Sequence, residues 1–592
     1  MGGIIAGYKH DGKIKETLLR VLKRLEYNNH DSAGLCIGNN KECLSYRVVG
    51  KVDELSKIIP EKFDGEFGIG HTRWSTYNEQ IIENVYPIVS QNKIVSVVCN
   101  GLIDNVLPVK KQLERRGYSF KTKSAVEVLA NLLEEVIVQK NEGIPAIRRA
   151  LAQLEGDFSF VFTSRYEPNK LYFAKNKSNL LLAKNGHDFW ISSQYTAIAD
   201  IANSFYRLND YEHGYFHANN VVIININNEE IEPVFSQLEI KDEENLELAN
   251  YAHYMIKEIE EAPRVISRVV NRYYGGGKYL FSEKIIDLIN SADNIVFLAA
   301  GTSYHAALVG QRYLRGYNKQ VDVYIASEWY YYPYQSKGET LYILISQSGE
   351  TADLIDCLSV IKRYNGTTLT ITNTEVSTLY LESDYQILLH AGAEYSVAST
   401  KAYIAQITVL TLLYAHLINK VQTVIYLDGV INVVEDVIKR SEEIQSIAEK
   451  IANHRDVYFL GRGFDADIAL EAQLKFKETT YIHAEAYPGG EIKHGPIALI
   501  DDGTPVVVFI SDKATAAAMR ENIAELKKSG AEIITCVSEE HYQEGDSFVV
   551  KMVKGYHSPI TFAVFAQYLA YFTAVKLGRD VDRPRNLQKA LS

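Results

Sequence analysis

The chain has 592 residues, of which 46% are hydrophobic and 23% are charged, and its formal net charge is -12. This length is too great for a single hydrophobic core and predicts several domains of ordinary size. The acidic balance argues against a nucleic-acid-binding surface, which normally carries a basic stripe. An anionic ligand would have to be held by local backbone N–H groups and individually placed cations.

The cysteines predict no cross-links. They are scattered without a CxxC pair, which is typical of reduced thiols in the cytosol and of neither a disulfide framework nor a zinc site: Cys36, Cys43, Cys99, Cys357 and Cys536. No secretory signal is visible, and no apolar stretch reaches the roughly 20 residues that cross a bilayer. We therefore expect a cytoplasmic protein without a cofactor. The HxxxH pair of His213 and His217 lacks the glutamate of a zinc-protease helix, so we also expect no metal.

The first 235 residues mix short β-branched runs with helical patterns. Strands are predicted at 94–98, 158–163 and 221–226, and helices at 18–27 and 126–138. This mixture predicts an α+β domain over residues 1–235. The polar, acidic segment 236–250 is predicted to be a linker, with a solvated surface loop as the alternative.

The second half alternates apolar strands with amphipathic helices, which indicates parallel α/β layers. The predicted strands are 294–299, 341–345, 368–372, 456–460, 505–510 and 532–537. An internal repeat is visible, because IVFLAAGTSYHAAL from Ile295 aligns with VYFLGRGFDADIAL from Val457. LYILISQ from Leu341 then aligns with VVVFISD from Val506 at nearly the same offset. Two matches in order predict two similar domains, 251–425 and 426–592.

The segment SQSGETADLI follows a strand and opens a helix. Its hydroxyls, together with the backbone N–H groups of a helix N-terminus, are suited to hold a phosphate. Helix capping is the structural alternative for such hydroxyls. Gln347 and Gly349 favour the binding interpretation of the hydroxyl residues Ser346, Ser348 and Thr351.

Two further turns carry hydroxyls, at Thr302 with Ser303 and at Ser399 with Thr400. Parallel strands bring such turns to one sheet edge, where open α/β folds bind ligands. The second repeat has Asp512 at the matching place, and an aspartate would repel phosphate. We therefore predict a phosphate site in the first repeat only.

Glu471, Lys475 and Glu478 have helical spacing and share one face. A surface ladder of ion pairs is the simplest interpretation of that pattern. The loop that follows contains Pro488 and presents His494. A carboxylate, a lysine and a histidine near a phosphosugar could transfer protons.

Several motifs together resemble the glutamine–fructose-6-phosphate aminotransferase (glucosamine-6-phosphate synthase) family over nearly the whole chain: MGGIIAGY, HTRWST, CNGLIDN, SQSGET, SVASTKAY, EIKHGP and DVDRPRNL. The resemblance implies an N-terminal-nucleophile glutamine amidotransferase domain followed by two sugar-isomerase (SIS) α/β domains. It also implies a homodimer that converts fructose 6-phosphate to glucosamine 6-phosphate.

Residue roles follow from the same resemblance. Lys589 would form a Schiff base with the open-chain ketose, and Glu478 would move a proton between C1 and C2 with support from Lys475. His494 would assist ring opening from the neighbouring subunit. The implied sugar-phosphate contacts are Thr302, Ser303, Ser346, Gln347, Ser348, Thr351, Val397 and Ser399. A lysine that attacks a carbonyl needs a base or a lowered pKa, and the sequence shows neither for Lys589.

The glutaminase half departs from the family. Gly2 stands where the family has its nucleophilic cysteine, and glycine has no side chain to attack an amide. Ala125 replaces the aspartate that binds the glutamine amino group, and loss of one partner of a charge pair costs several kcal/mol. Other replacements are Asn28, Tyr77 and Tyr86, whereas these family positions are kept: Arg73, Trp74, Asn100 and Gly101.

We therefore predict that glutaminase activity is absent and that nitrogen comes from free ammonia or a separate source. Cys99 as a relocated nucleophile is less favoured than Cys99 as a small buried hydrophobe. Two alternatives stay open. One is an isomerase or deaminase of sugar phosphates without net amination, and the other is a non-catalytic protein that binds sugar phosphate and regulates.

Overall fold

A computed structural model describes residues 2–26, 31–39, 43–73, 81–198, 200–218, 220–237, 248, 250–333, 337–551, 558–587 and 589. The chain divides into two compact units, Met1–Glu243 and Glu244–Ser592. Most of the predicted linker 236–250 lies outside the described residues.

The first unit contains two antiparallel sheets. The eight-stranded sheet has the order β15-β11-β9-β10-β1-β4-β2-β3, and the seven-stranded sheet has the order β14-β13-β12-β8-β7-β6-β5. The strands are β1 Gly3–Tyr8, β2 Ser32–Gly38, β3 Cys43–Val48, β4 Phe67–Arg73, β5 Ile88–Val89, β6 Val95–Ile103, β7 Gly156–Ser164, β8 Glu167–Asn176, β9 Leu181–Asn185, β10 Asp188–Ser192, β11 Ser204–Arg207, β12 His213–His217, β13 Asn220–Ile224, β14 Glu230–Ile231 and β15 Ser236–Gln237.

Helices cover these sheets, because β1 is buried on both faces and its successive side chains enter two different cores. Ile4 and Ala6 belong to the core shared with the seven-stranded sheet, whereas Ile5 between them packs against Leu18 and Leu22 of the first helix. The helices of this unit are α1 Lys15–Leu25, α2 Val52–Ile58, α3 Val106–Arg115, α4 Ala125–Lys140, α5 Gly143–Gln153 and α6 Tyr195–Ile198. The predicted α+β character of this part is thus observed.

Two cysteines correct the sequence prediction. Cys36 in β2 and Cys43 in β3 form a disulfide between neighbouring antiparallel strands, whereas reduced thiols were predicted. Composition missed this pair because only the strand register brings the two residues together. Cys99, Cys357 and Cys536 are free and buried, as predicted for reduced thiols.

The second unit contains two five-stranded parallel sheets with the orders β19-β18-β20-β21-β22 and β24-β23-β25-β26-β27. Their equivalent strand orders reflect the internal repeat. The strands of this unit, including a small hairpin of β16 and β17, are β16 Tyr274–Gly275, β17 Lys278–Tyr279, β18 Asn294–Ala299, β19 Gln320–Ile325, β20 Thr340–Ser346, β21 Thr367–Thr372, β22 Tyr385–Leu388, β23 Asp456–Gly461, β24 His483–Pro488, β25 Pro505–Ile510, β26 Glu532–Ser538 and β27 Phe548–Val550.

One continuous hydrophobic core joins the two sheets through the helices between them. Helices α10 and α17 pack against each other, and α17 packs along α19. The helices are α7 Tyr254–Glu260, α8 Ala262–Tyr273, α9 Glu283–Ser291, α10 Gly301–Gly316, α11 Ala326–Tyr331, α12 Ala352–Arg363, α13 Thr378–Glu382, α14 Lys401–Leu417, α15 Gln422–Lys439, α16 Ser441–Ile451, α17 Phe464–Thr480, α18 Lys513–Lys528 and α19 Ser558–Lys576.

Helix α19 is long and apolar enough to cross a membrane by length and composition alone, although no such segment was predicted. In the structure 89% of its apolar window is buried. Side chains on all of its faces, including Phe562, Phe565 and Tyr568, belong to the core. A helix that is hydrophobic all round and enclosed by protein is a core helix.

Candidate functional site

The turn after β20 forms the predicted hydroxyl-lined edge. The hydroxyl oxygen of Ser346, at the end of the strand, accepts a hydrogen bond from the Gly349 backbone N–H at 3.0 Å and bonds the Thr351 hydroxyl at 2.9 Å. Gly349 has φ of +68°, and an added Cβ would overlap Ser377. The acidic side chain of this turn, Glu350, accepts hydrogen bonds from the Thr378 N–H and hydroxyl at 2.8 and 2.6 Å. The turn therefore opens α12 with several hydroxyls at a helix N-terminus.

The second predicted turn lies beside the first, because β18 pairs with β20 in parallel and Ala299 is opposite Ile345. Thr302 and Ser303 follow at the start of α10, and each is only 8% exposed. The Thr302 hydroxyl donates to Glu471 Oε1 at 3.2 Å, and Gln406 Nε2 donates to the Ser303 hydroxyl at 2.8 Å. These contacts join the sheet edge to α17 and α14.

The three charged residues of α17 share one face, as predicted, but they are not a surface ladder. Lys475 Nζ lies 3.6 Å from Glu471 Oε1 and also pairs with Glu478. The side chains of Lys475 and Glu471 are each 1% exposed, and that of Glu478 is 15% exposed. Glu471 also pairs with His305 Nδ1 at 2.7 Å. Packing against α10 buries this face, which the local spacing alone could not show.

Burial and pairing act in opposite directions on these groups. Burial raises the pKa of Glu478, and the attraction of Lys475 only partly reduces that rise. Burial alone would lower the pKa of Lys475, but the carboxylates of Glu478 and Glu471 raise it above its ordinary value. A carboxyl that holds a proton more readily than usual, beside a fixed ammonium, is suited to proton transfer near neutral pH.

Lys589 is held inside the site and is not a frayed tail lysine. Its side chain is 11% exposed, and Nζ donates to Glu394 Oε2 and to the Ser396 carbonyl oxygen, each at 2.6 Å. The Val397 N–H donates to the Asp582 carbonyl at 3.0 Å and so holds the C-terminal segment against the first repeat. The charge of Lys589 also lowers the pKa of Glu478 in part, so the two groups share one electrostatic cluster.

Two buried carboxylates were missed by the sequence analysis. The first, Glu394, has a fully buried side chain and accepts from Ser399 at 2.8 Å. The second, Glu258 in α7, accepts from the Tyr395 and Ser396 N–H groups. Burial and the nearby charge of Glu394 raise the pKa of Glu258 to about 8. Glu394 lies two residues before the SVASTKAY motif, which was a usable signal, whereas Glu258 lies 137 positions from Tyr395 along the chain.

His494 is not gathered with the other predicted residues. It ends the short 3-10 helix Glu491–His494 and is exposed. Within the described ranges it has no hydrogen bond to Lys475, Glu478 or Lys589. Gln347 and Ser348, by contrast, lie in the hydroxyl-lined turn as predicted, where Ser348 accepts from the Glu350 N–H at 3.1 Å.

In the first unit, Gly2 immediately precedes β1 and is half-buried. An added Cβ would overlap the His71 ring and would lie 2.5 Å from the Thr72 carbonyl oxygen. The His71 ring hydrogen-bonds Asn100 Oδ1 at 2.9 Å and packs 4.7 Å from the Tyr86 ring. A side chain at position 2 would therefore require His71 to move.

Arg73, another amidotransferase position of this unit, is held by contacts within the protein. The Arg73 guanidinium lies 4.9 Å above the Tyr86 ring and donates to the Asn84 carbonyl at 2.6 Å. Gly101 follows Asn100 in β6, and Ala125 opens α4 after the cap Ser124. Trp74, Asn28 and Tyr77 lie outside the described residues.

Cys99 is a poor nucleophile in this structure. It is 5% exposed within β6, and burial raises the pKa of its thiol to about 12. A thiol in that state is almost entirely protonated at neutral pH. The interpretation of Cys99 as a small buried hydrophobe is the one that the geometry favours.

Comparison with known proteins covers both units. A SIS domain family model matches residues 288–416 and 450–577, and a glutamine amidotransferase domain model matches residues 71–200. The glutamine–fructose-6-phosphate aminotransferase (isomerizing) of Listeria innocua is 36% identical over 600 residues, which is 99% of each chain. The corresponding protein of Geobacillus kaustophilus is 36% identical over 599 residues with the same coverage. The chain belongs to the glutamine–fructose-6-phosphate aminotransferase family.

A solved structure supports this assignment for the second unit. The C-terminal domain of glucosamine-fructose-6-phosphate aminotransferase from Francisella tularensis is 33% identical, with a TM-score of 0.53. It covers 57% of this chain and 99% of that one. These matches confirm the predicted fold class of this aminotransferase-family member: an amidotransferase-like α+β unit followed by two α/β SIS domains with parallel sheets.

Among the residues that the structure describes, no group of three or more His, Cys, Asp or Glu side chains could hold a metal ion. The His213 and His217 pair lies in β12, where Nδ1 of His213 bonds the Tyr211 carbonyl at 3.0 Å.

Proposed function

We propose that this aminotransferase-family member aminates and isomerises fructose 6-phosphate to glucosamine 6-phosphate with ammonia, and does not hydrolyse glutamine. The observation that carries the proposal is the buried cluster of Lys475, Glu478 and Lys589 beside the hydroxyl-lined turn. Lysine and carboxyl groups of this kind can form a Schiff base and move protons. The names of the relatives give fructose 6-phosphate as the substrate of an isomerizing aminotransferase, with glutamine as its nitrogen donor.

The phosphate would bind at the edge of the first parallel sheet. The hydroxyls of Ser346, Ser348 and Thr351 would donate to it, together with backbone N–H groups at the start of α12. Thr302, Ser303 and Gln347 would complete this set, and Val397 and Ser399 would contact the sugar. A local cradle of donors is needed because the chain as a whole is acidic.

The chemistry would begin at Lys589, whose amine attacks the C2 carbonyl of the open-chain ketose and forms an imine with loss of water. Ammonia then replaces the lysine nitrogen at C2. Glu478 takes a proton from C1 to give an enaminol and returns it at C2, while the proton of the C1 hydroxyl passes to the imine nitrogen, which converts the 2-imine into the 2-amino aldehyde. Lys475 forms an ion pair with Glu478, which fixes the position of the Glu478 carboxylate and stabilises its negative charge.

Ammonia dependence rests on the first unit. Gly2 offers no nucleophile, and the chain itself fills the space beside it. Ala125 leaves the ammonium of a bound glutamine without its anionic partner. The experiment is to incubate the protein with fructose 6-phosphate and either ammonium or glutamine, and to measure glucosamine 6-phosphate. Ammonium should support product and glutamine should not; no product with ammonium would contradict the proposal.

Restoring the family nucleophile tests the same point. We expect Gly2→Cys to leave glutamine hydrolysis undetectable, because the new Cβ would collide with His71 and the Ala125 position would still lack an anion. Overpacking of this kind costs about 1–3 kcal/mol of stability. Hydrolysis of glutamine by the variant, measured as released glutamate, would show that position 2 alone determines the loss.

We also propose a homodimer in which each site receives His494 from the partner. The exposure of His494, away from the cluster it would serve, supports this. Co-expression of His494→Ala with Lys589→Ala provides the test, because mixed dimers would hold one intact site. Each variant alone should be inactive, whereas the mixture should regain about a quarter of the original activity. An inactive mixture would contradict shared sites.

A further inference from the structure

The attack of Lys589 on a carbonyl requires a neutral amine, and the structure shows what could accept the ammonium proton. Lys589 Nζ has two acceptors at 2.6 Å, Glu394 Oε2 and the Ser396 carbonyl oxygen. A backbone carbonyl does not take up a proton at neutral pH, so only the carboxylate can act as a base. We propose that Glu394 is the catalytic base that deprotonates Lys589, a role that rests on the proposed function above.

The two carboxylate oxygens of Glu394 have different hydrogen-bond partners. Oε1 accepts from the Thr400 and Ala402 N–H groups at 2.8 and 3.1 Å and so is fixed at the N-terminus of α14. Oε2 faces Lys589 and also accepts from the Ser399 hydroxyl at 2.8 Å. The two backbone N–H groups fix the carboxylate through Oε1, and the Ser399 hydroxyl fixes Oε2. Oε2, which would receive the proton, is thereby kept within hydrogen-bond distance of Lys589 Nζ.

Burial of both side chains favours proton transfer from Lys589 to Glu394. The Glu394 side chain is 0% exposed and that of Lys589 is 11% exposed. Loss of hydration in a low dielectric disfavours both charged forms and so brings the neutral amine and carboxylic acid closer in free energy to the ion pair. Burial would raise the pKa of Glu394, but the charge and hydrogen bond of Lys589 lower it below its ordinary value. Burial and the charge of Glu394 instead raise the pKa of Glu258 to about 8, so Glu394 is the carboxylate of the two that is free to accept the ammonium proton.

The proton balance closes over one imine formation. Glu394 takes one proton from the ammonium, and the amine nitrogen bonds C2 as the carbonyl π electrons move to oxygen. A second proton passes from this nitrogen to the oxygen and gives a carbinolamine. Glu394 then returns its proton to the hydroxyl, which leaves as water as the nitrogen lone pair forms the iminium. The carboxylate is regenerated beside the positive iminium, which it stabilises.

The test measures covalent capture of fructose 6-phosphate on Lys589 with sodium cyanoborohydride, followed by mass spectrometry. We expect Glu394→Gln to slow adduct formation by about 10²-fold or more near neutral pH. The rate of adduct formation by Glu394→Gln should then rise by about tenfold for each unit of increase in pH, because the lysine must lose its proton to solvent. The unmodified chain should show a level rate, since its proton moves inside the pair. Glu394→Asp, which keeps a carboxylate, should recover part of the rate.

Glu261→Gln is the matched control, because Glu261 pairs with a different buried lysine, Lys401, at 2.6 Å. It should trap the adduct at the original rate. If Glu394→Gln does not fold, the pH profile of the unmodified chain decides: a tenfold rise per pH unit would overturn the assignment. Equal rates and parallel profiles for the unmodified chain and Glu394→Gln would overturn it as well. Absence of any adduct in the unmodified chain would instead overturn the proposed function, and this role with it.

Discussion

The two SIS domains of this chain share a fold but use the same turn differently. Their sequence alignment places Ser303 opposite Asp465 and Ser346 opposite Ser511. In the first domain these positions present hydroxyls at the sheet edge. In the second, the Asp465 carboxylate accepts both the Ser511 N–H at 2.8 Å and the Ser511 hydroxyl at 2.5 Å. The chain thus places its own carboxyl group in the second turn.

This difference suggests that the two domains have different roles in the site. Asp465 lies in the first turn of α17, and its bonds to Ser511 fix that helix to the edge of its sheet. Two to four turns later the same helix presents Glu471, Lys475 and Glu478 to the first domain, and Asp467 pairs with Arg312 of α10. The first domain would bind the sugar phosphate, and the second would supply the acid–base groups.

The largest effect is expected from substitution of Lys589, because it would hold the sugar covalently while the first domain binds the phosphate and the second transfers protons. Lys589→Ala should lower the rate of amination by more than the roughly 10²–10⁴-fold that is typical for loss of one acid–base group, because no covalent intermediate could form. Binding of fructose 6-phosphate, measured by calorimetry, should persist through the hydroxyl-lined turn. Retention of activity would show that Lys589 is structural.

The next effect tests the contribution of the second domain to chemistry. Glu478→Gln should lower kcat by about 10²–10⁴-fold and leave KM for fructose 6-phosphate within a few-fold, since the group would act on C1 and C2 and not on the phosphate. Exchange of the C1 proton with D2O, followed by NMR, should stop as well. A rise in KM with kcat unchanged would assign Glu478 to binding and would undo the proposed division.

Matched serines test the contribution of the first domain to binding. Ser346→Ala should raise KM for fructose 6-phosphate by about 10–100-fold, the equivalent of a hydrogen bond to a charged group. Ser511→Ala removes the equivalent hydroxyl of the second domain and should leave KM unchanged. Equal effects of the two substitutions on KM would show that both turns contact the ligand.

The sequence predicted regular elements and local turns well, because both depend on neighbours along the chain. The strands Asn294–Ala299 and Pro505–Ile510 begin and end where predicted, and the hydroxyls around Ser346 lie at a sheet edge. It could not predict what depends on long-range packing. The α17 face looked like a surface ladder until α10 covered it, and the partner of Lys589 lies 195 positions away.

The smallest expected effect concerns Asp465, the carboxyl group in the second turn. Burial raises the pKa of Asp465 to about 7. As pH rises from about 4 to 7, the unfolded chain loses this proton before the folded chain does, so the group lowers stability progressively across that window. Asp465→Asn cannot ionise, and its thermal midpoint relative to the unmodified protein should therefore rise with pH by about 2–4 °C. Asp512→Asn is the control: Asp512 caps α18 through the Ala514 N–H at 2.9 Å, and asparagine caps equally well. A difference for Asp465→Asn that stayed flat with pH would mean that the Ser511 donors hold Asp465 ionised, and the second turn would then be a stable anion site already filled by the protein.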